Sequence, residues 1–210
     1  MNTDVRKNIF CILMTAEDYL DAFEKLLHLG LKNQQEREII YVVMHCCLQE
    51  KQFNPYYCHL AQKFCDFDRK FQIIIQYALW DKFKELQNIS PFQLTNLAKF
   101  LLHLIIEKGL PLSVLKVIHF AEVDKITVKF LRQLLLGLLL YKSEEEVQQA
   151  FQRVALAKNL HVFREGIRLF IHHFLLRNLE NHTVENIEVL KQRAKMADKI
   201  LGAAESKVKF

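Results

Sequence analysis

Proline and most of the glycine in this chain stand where helices must begin or stop, and that punctuation constrains the fold more than any other feature. Pro55 and Pro91 follow Asn54 and Ser90 at the head of apolar stretches with helical period, where a residue lacking an N–H loses nothing. Gly30 and the Gly109-Leu110-Pro111 run close two other stretches, glycine supplying the left-handed turn that ends a helix. With only five glycines and three prolines in 210 residues, little chain is left for catalytic loops. Neither strand-like alternation nor a Gly/Ser-rich linker interrupts the pattern.

Read along the chain, the period predicts a first helix from Asp4 to about Met14, burying Val5, Ile9, Ile12 and Leu13. Thr15 with Asp18 reads as the cap of a second, which carries the stripe Tyr19, Phe23, Leu26 and Leu27. Asn33 with Glu36 starts a third, Asn54-Pro55 a fourth, Asp68 a fifth ending near Leu86, and Ser90-Pro91 a sixth. Helices over Leu112–Ala121 and Asp124–Lys142 follow, then one capped by Ser143 and Glu146, one over His161–Arg177, and a last opened by Thr183. Gly137 and Gly166 fall inside helices, which points to close approach by a neighbour. About eleven helices with short connections imply an all-α fold of stacked antiparallel helical hairpins, HEAT-like in rhythm. The expected division is a domain over 1–141, a helical extension over 142–201 packing on it, and a flexible tail over 202–210.

Composition narrows the class. Apolar residues make up 51%, and sixteen phenylalanines against one tryptophan imply a large aromatic interior. The net charge of +5 permits contact with RNA without requiring it. The polar start Met1-Asn2-Thr3-Asp4 and five cysteines without framework spacing suggest reduced thiols of an intracellular protein. The longest apolar run, Leu134 to Tyr141, falls far short of the ~20 residues a bilayer-spanning helix needs, so no membrane partner is expected.

The segment Leu26–Cys65 reads LLHLGLKNQQEREIIYVVMHCCLQEKQFNPYYCHLAQKFC. Leu26-Leu27, Cys46-Cys47 with Gln49, Phe53, Tyr57 and the Leu60-Ala61-x-x-Phe64-Cys65 ending resemble the MA-three domain, the helical module found beside or after the middle domain of initiation factor 4G. The likeness continues through Leu97-Ala98-Lys99 and Leu110-Pro111-Leu112-Ser113-Val114-Leu115, and covers about residues 4–141. Within the family it is nearest to nucleolar members that carry a 4G-type middle domain upstream, and then to a splicing factor of the same domain order. The resemblance implies a stacked helical scaffold without catalysis or cofactor, residing in the nucleolus or nucleus. It further implies docking of a DEAD-box helicase of the initiation factor 4A type or of other pre-ribosomal proteins. For nucleolar members it implies service to small-subunit ribosomal RNA maturation.

The family's helicase contacts often use acidic residues around the turn after the fifth helix. Here that turn offers Asp81 and Glu85, four apart on one helical face, interrupted by Lys82 and Lys84. A solvated helix surface accounts for the same residues, and Trp80 reads as core. His45, Cys46, Cys47, Cys58, His59 and Cys65 lack a C-x-x-C pair, and adjacent helical cysteines point about 100° apart, so no metal is expected. Lys191, Lys195 and Lys199 recur every four residues opposite the seam Ile187, Leu190, Ala194, Ala197 and Leu201. Arg164 and Arg168 form a shorter basic pair. Both groups are candidates for RNA phosphate or an acidic partner, against the alternative of a solvated face partly offset by Glu188 and Asp198. No P-loop, catalytic triad or positioned titratable pair marks an enzyme.

Overall fold

Short polar side chains set the helix starts. The structure, a computed structural model, describes residues 3–177, 179 and 183–206, and among them no strand forms. Asp18 opens α2 (Tyr19–His28), its carboxylate accepting from the backbone N–H groups of Leu20 and Asp21 at 2.9 and 2.8 Å. Thr15, expected in that role, instead donates its hydroxyl to the Cys11 carbonyl at 2.7 Å and finishes α1 (Thr3–Thr15). A carboxylate only accepts, whereas a threonine hydroxyl at a helix end is drawn back to the carbonyl four residues earlier. Gly30 takes φ +60, the left-handed stop read from the sequence.

A three-ten turn over Asn33–Gln35 leads into α3 (Glu36–Gln49). The Asn54 side chain accepts from the Tyr56 N–H ahead of α4 (Tyr56–Phe67), and Asp68 does the same for α5 (Arg69–Lys84) through the Lys70 N–H. After a three-ten turn over Leu86–Asn88, Ser90 and Gln93 exchange side-chain and backbone bonds at the start of α6 (Pro91–Ile106). Lys108, not Gly109, adopts the left-handed conformation beyond α6, at φ 65. Gly109 is needed for space, since a Cβ there would lie 2.3 Å from Gln62 Oε1.

The chain divides into two compact units, Met1–Gly109 and Leu110–Phe210. In the first, α1 packs on α3 and α2 on α4, while α3 and α4 both rest on α5 and α6. A ladder of rings, Phe23 to Phe64 at 4.8 Å and Phe64 to Phe71 at 4.7 Å, ties α2, α4 and α5 together. These separations suit edge and tilted aromatic pairs, which add about 1 kcal/mol beyond area burial.

In the second unit the helix expected over Leu112–Ala121 is two three-ten turns, Leu112–Val117 and Phe120–Glu122. Residues three apart eclipse in that spiral, and Leu112 and Leu115 are both buried by it. α7 (Lys125–Leu139) and α8 (Glu144–Ala155) start at Asp124 and Ser143 as their sequences imply. α9 (His161–Phe170), expected to reach Arg177, passes at Ile171 into a π turn over Ile171–Leu175. α10 (Val184–Ser206) lies across α7, α8 and α9. Its Leu190, Ala194, Ala197 and Leu201 are buried, the alanines permitting close approach to α8, so the apolar seam is internal to this unit.

The boundary expected at 141 therefore falls inside the second unit, because α7 buries Phe130, Leu131, Leu134 and Leu138 and packs on α10 and the π turn. Likewise α10 continues to Ser206 through the first part of the expected tail; residues 207–210 of that tail lie outside the described residues.

Two buried polar side chains close helix C-termini from a distance. Asn96 of α6, 2% exposed, donates to the carbonyls of Cys47 and Glu50 at 3.1 and 2.8 Å. Arg193 of α10, 8% exposed, donates to the carbonyl of Leu139 at 2.8 Å and to that of Tyr141. Each satisfies acceptors that a helix end leaves without an intrahelical donor. Asn96→Leu and Arg193→Met should each cost about 2–3 kcal/mol, because the carbonyls stay buried when the donor is gone. Urea denaturation followed by circular dichroism measures this, and unchanged midpoints would refute the role.

Candidate protein-docking site

The first unit carries a hollow of about 590 Å³ between α3 and α5. Arg37 and Tyr41, four apart, line it from α3; Ile74, Tyr77 and Asp81, three and four apart, line it from α5. These positions are neighbours on a helix surface. On α5 they turn away from the buried stripe Phe71, Ile75, Ala78 and Leu79, leaving Tyr77 55% exposed. Tyr77 meets Trp80 edge to face at 5.3 Å. The Tyr41 phenol is pushed up, first by burial and then by the Asp81 carboxylate. Asp81 thus stands at the mouth of a pocket walled by two tyrosines.

Asp81 and Glu85 both reach solvent, each beside a lysine of its own segment: Lys84 at 3.3 Å from Asp81, Lys82 at 3.6 Å from Glu85. Exposed pairs of this kind contribute under about 1 kcal/mol, so a partner's cation can displace the lysine. Glu85 occupies the C-cap of α5, with φ −109, and has left the helical ramp that the spacing assumed. Trp80 is half-buried rather than core. Arg37, Tyr41 and Tyr77 were not singled out by sequence. Two tyrosines on polar helix faces are a weak signal until α3 and α5 are side by side.

The basic candidates separate. Lys191, Lys195 and Lys199 are exposed along α10. Arg164 and Arg168 do not form a basic surface pair. Arg164 is 6% exposed and donates to the Ala157 carbonyl at 3.1 Å. Arg168 is held by Asp198 at 2.8 Å and by Glu165 at 2.6 Å. The Arg168 guanidinium in turn holds the Asp198 carboxyl below its usual range. Asp198 therefore offsets Arg168, not the lysines beside it. Four apart on a tightly packed helix, Arg164 and Arg168 were drawn to a carbonyl and a carboxylate that only tertiary packing supplies.

The four cysteines of the cluster are core, whereas His45 and His59 are exposed. Among the described residues no group of three or more potential ligands is placed to hold a metal ion. Cys46, Cys47, Cys58 and Cys65 are buried, and burial pushes their thiols up, Cys46 to about 11 and Cys47 and Cys65 to about 12. His59 lies between the rings of Tyr19 and His103, at 5.4 and 4.8 Å. Burial, then the neighbouring His59, holds His103 down at about 4.

The MA3 domain profile matches residues 5–111, two residues beyond the end of the first compact unit and slightly over half of the chain. The chain belongs to the MA3 domain family. The mouse protein named nucleolar MIF4G domain-containing protein 1 is 52% identical over 202 residues, which are 96% of this chain and 24% of the relative. Its Drosophila melanogaster homolog is 47% identical over 205 residues, at the same coverage. Suppressor of glycerol defect protein 1 of fission yeast is 36% identical over 172 residues, 76% of this chain and 22% of that protein. The chain thus spans about a quarter of the length of these curated relatives, matching the C-terminal region of the nucleolar ones. MA3 domains generally mediate protein interactions.

The half-buried His103 fixes a pH dependence. The unfolded chain takes up this proton below about pH 6.5 and the folded one only below about 4. The stabilisation is therefore complete above about 6.5 and is lost as pH falls between those values, by about 3 kcal/mol. His103→Phe should flatten that part of the pH profile of the urea midpoint. In the native MA3 unit only Cys11 is exposed among the cysteines, so a thiol reagent should titrate one of the five rapidly and four on unfolding.

Proposed function

We propose that this chain is a non-catalytic protein-interaction module of nucleolar ribosome biogenesis, working in small-subunit ribosomal RNA maturation. Its MA3 unit docks a DEAD-box helicase of the initiation factor 4A type or another pre-ribosomal protein. The observation that carries this is the hollow between α3 and α5, where Asp81 fronts Tyr41 and Tyr77. A carboxylate beside two aromatic walls suits an arginine or lysine of a partner, held by charge from one side and by ring faces from the other. Glu85, on the same exposed turn, extends the acidic edge. The names of the mouse and fly relatives support the nucleolar setting and a parent protein that carries a 4G-type middle domain.

A second activity, contact with RNA phosphate through Lys191, Lys195 and Lys199, is favoured by their exposure on one face of α10. Arg164 and Arg168 take no part in it, being committed to Ala157, Asp198 and Glu165. Use of the same fold in splicing or translation is the remaining alternative. A splicing factor CWC22 homolog of Drosophila melanogaster is 27% identical over 120 residues, 57% of this chain. Which helicase binds distinguishes the two settings.

Charge reversal at Asp81 and Glu85 together should weaken capture of a recombinant DEAD-box helicase of the 4A type at least about tenfold, with an unchanged melting temperature. Undiminished capture would remove the acidic edge from the interface. Exchange of the three α10 lysines for glutamine should reduce the salt dependence of any binding to single-stranded RNA and leave the helicase contact alone.

A further inference from the structure

The second unit contains a larger hollow, about 1150 Å³, lined by the two three-ten turns on one side and by α9 and its π turn on the other. We propose that it is a docking groove for an acidic amphipathic helix of a protein partner. It is separate from the Asp81 site and does not depend on what binds there.

α9 is apolar on two sides. Phe163, Ile167 and Phe170 face the core of the unit. Val162, Gly166 and Leu169, at spacings of four and three, form another stripe that lines the hollow, with Val162 83% and Leu169 55% exposed. A surface helix normally offers solvent a polar face, and contiguous exposed apolar surface marks a contact site. Phe120 forms the floor: a Cβ at Gly166 would lie 2.9 Å from its side chain, and its ring meets those of Phe163 and Phe170 at 5.9 and 6.1 Å. Glycine here lets the three-ten segment close against α9, so the groove is built into the packing.

The π turn contributes the far end. One extra residue per turn shifts the register after Phe170, and His173 and Phe174 come to line the hollow. Single π turns inside helices are frequent at functional sites. On the opposite side of the turn His172 lies 3.4 Å from Asp198, which with Arg168 fastens α9 to α10.

Charge selects the occupant. The rim carries Lys116, His119, His161, His173 and Arg177, whereas among the described lining residues the acid is Glu165. Glu165 is engaged by Arg168 at 2.6 Å. An apolar trough bordered by the Lys116 and Arg177 cations fits a helix with leucine-like anchors at i, i+3, i+4 and i+7 and carboxylates on its flanks. Nucleic acid would use the cations and leave the aliphatic wall of Val162 and Leu169 without a partner.

The test uses the 210-residue chain and an 18-residue peptide with leucine at helical spacing and glutamate elsewhere, its lysine counterpart, and oligouridylate. In ¹H–¹⁵N spectra the acidic peptide should shift the amides of Ala121, Val162, Gly166 and Leu169, with a Kd of about 10–100 µM. Leu169→Glu and Val162→Glu should each weaken it about tenfold or more. Both positions are exposed enough to accept the change without unfolding, and Asp81→Lys should bind the peptide normally. Equal binding of the lysine peptide would overturn the proposal. So would displacement by oligouridylate, an absence of shifts at those amides, or self-association of the chain through Leu169.

Discussion

A stack of helices holds together only if the carbonyls at buried helix ends find donors, and in this chain a later helix supplies them. Asn96 reaches back 49 and 46 residues to Cys47 and Glu50, and Arg193 reaches back 54 and 52 residues to Leu139 and Tyr141. Apolar stripes along α3, α6, α7 and α10 supply most of the attraction. Such stripes tolerate sliding, whereas a buried donor and its carbonyl match at one offset. The hydrogen bonds therefore fix the alignment that hydrophobic burial leaves loose. Removing either donor strands acceptors where water cannot follow.

That alignment places the surface groups. The hollow beside Asp81 exists because α3 and α5 lie side by side, bringing Tyr41 of one helix against Asp81 of the other. In the second unit α9 is clamped to α10 by Arg168 and Asp198, and its outward stripe is left to line a trough with Phe120. Rigidity suits docking. A face already held in place loses little conformational entropy when a partner arrives.

The MA3 family match ends two residues past the first compact unit, so the second unit is described by its own packing. The relatives nonetheless align across 96% of the chain at 47–52% identity, taking in both units. The family resemblance bears on α1 to α6 and their acidic edge. The trough of α9 rests on residues outside that profile.

What the sequence by itself determined is local. Asp68, Ser90, Asp124, Ser143 and Thr183 open helices where a polar side chain precedes an apolar period, and Gly30 stops one, because capping involves residues within one turn of each other. The stripes of α2, α4 and α10 were legible for the same reason, and so was the MA3 resemblance. What needed the tertiary structure were the partners of long side chains. Arg164 and Arg168 look alike in sequence to Lys191 and Lys195, yet two arginines are committed to a carbonyl and carboxylates while the lysines face water. The boundary at Gly109, the π turn after Phe170 and the tyrosines beside Asp81 belong to the same class. Each depends on which helix lies alongside. That choice is made by summed burial over residues far apart in the chain, and no spacing within a single helix encodes it.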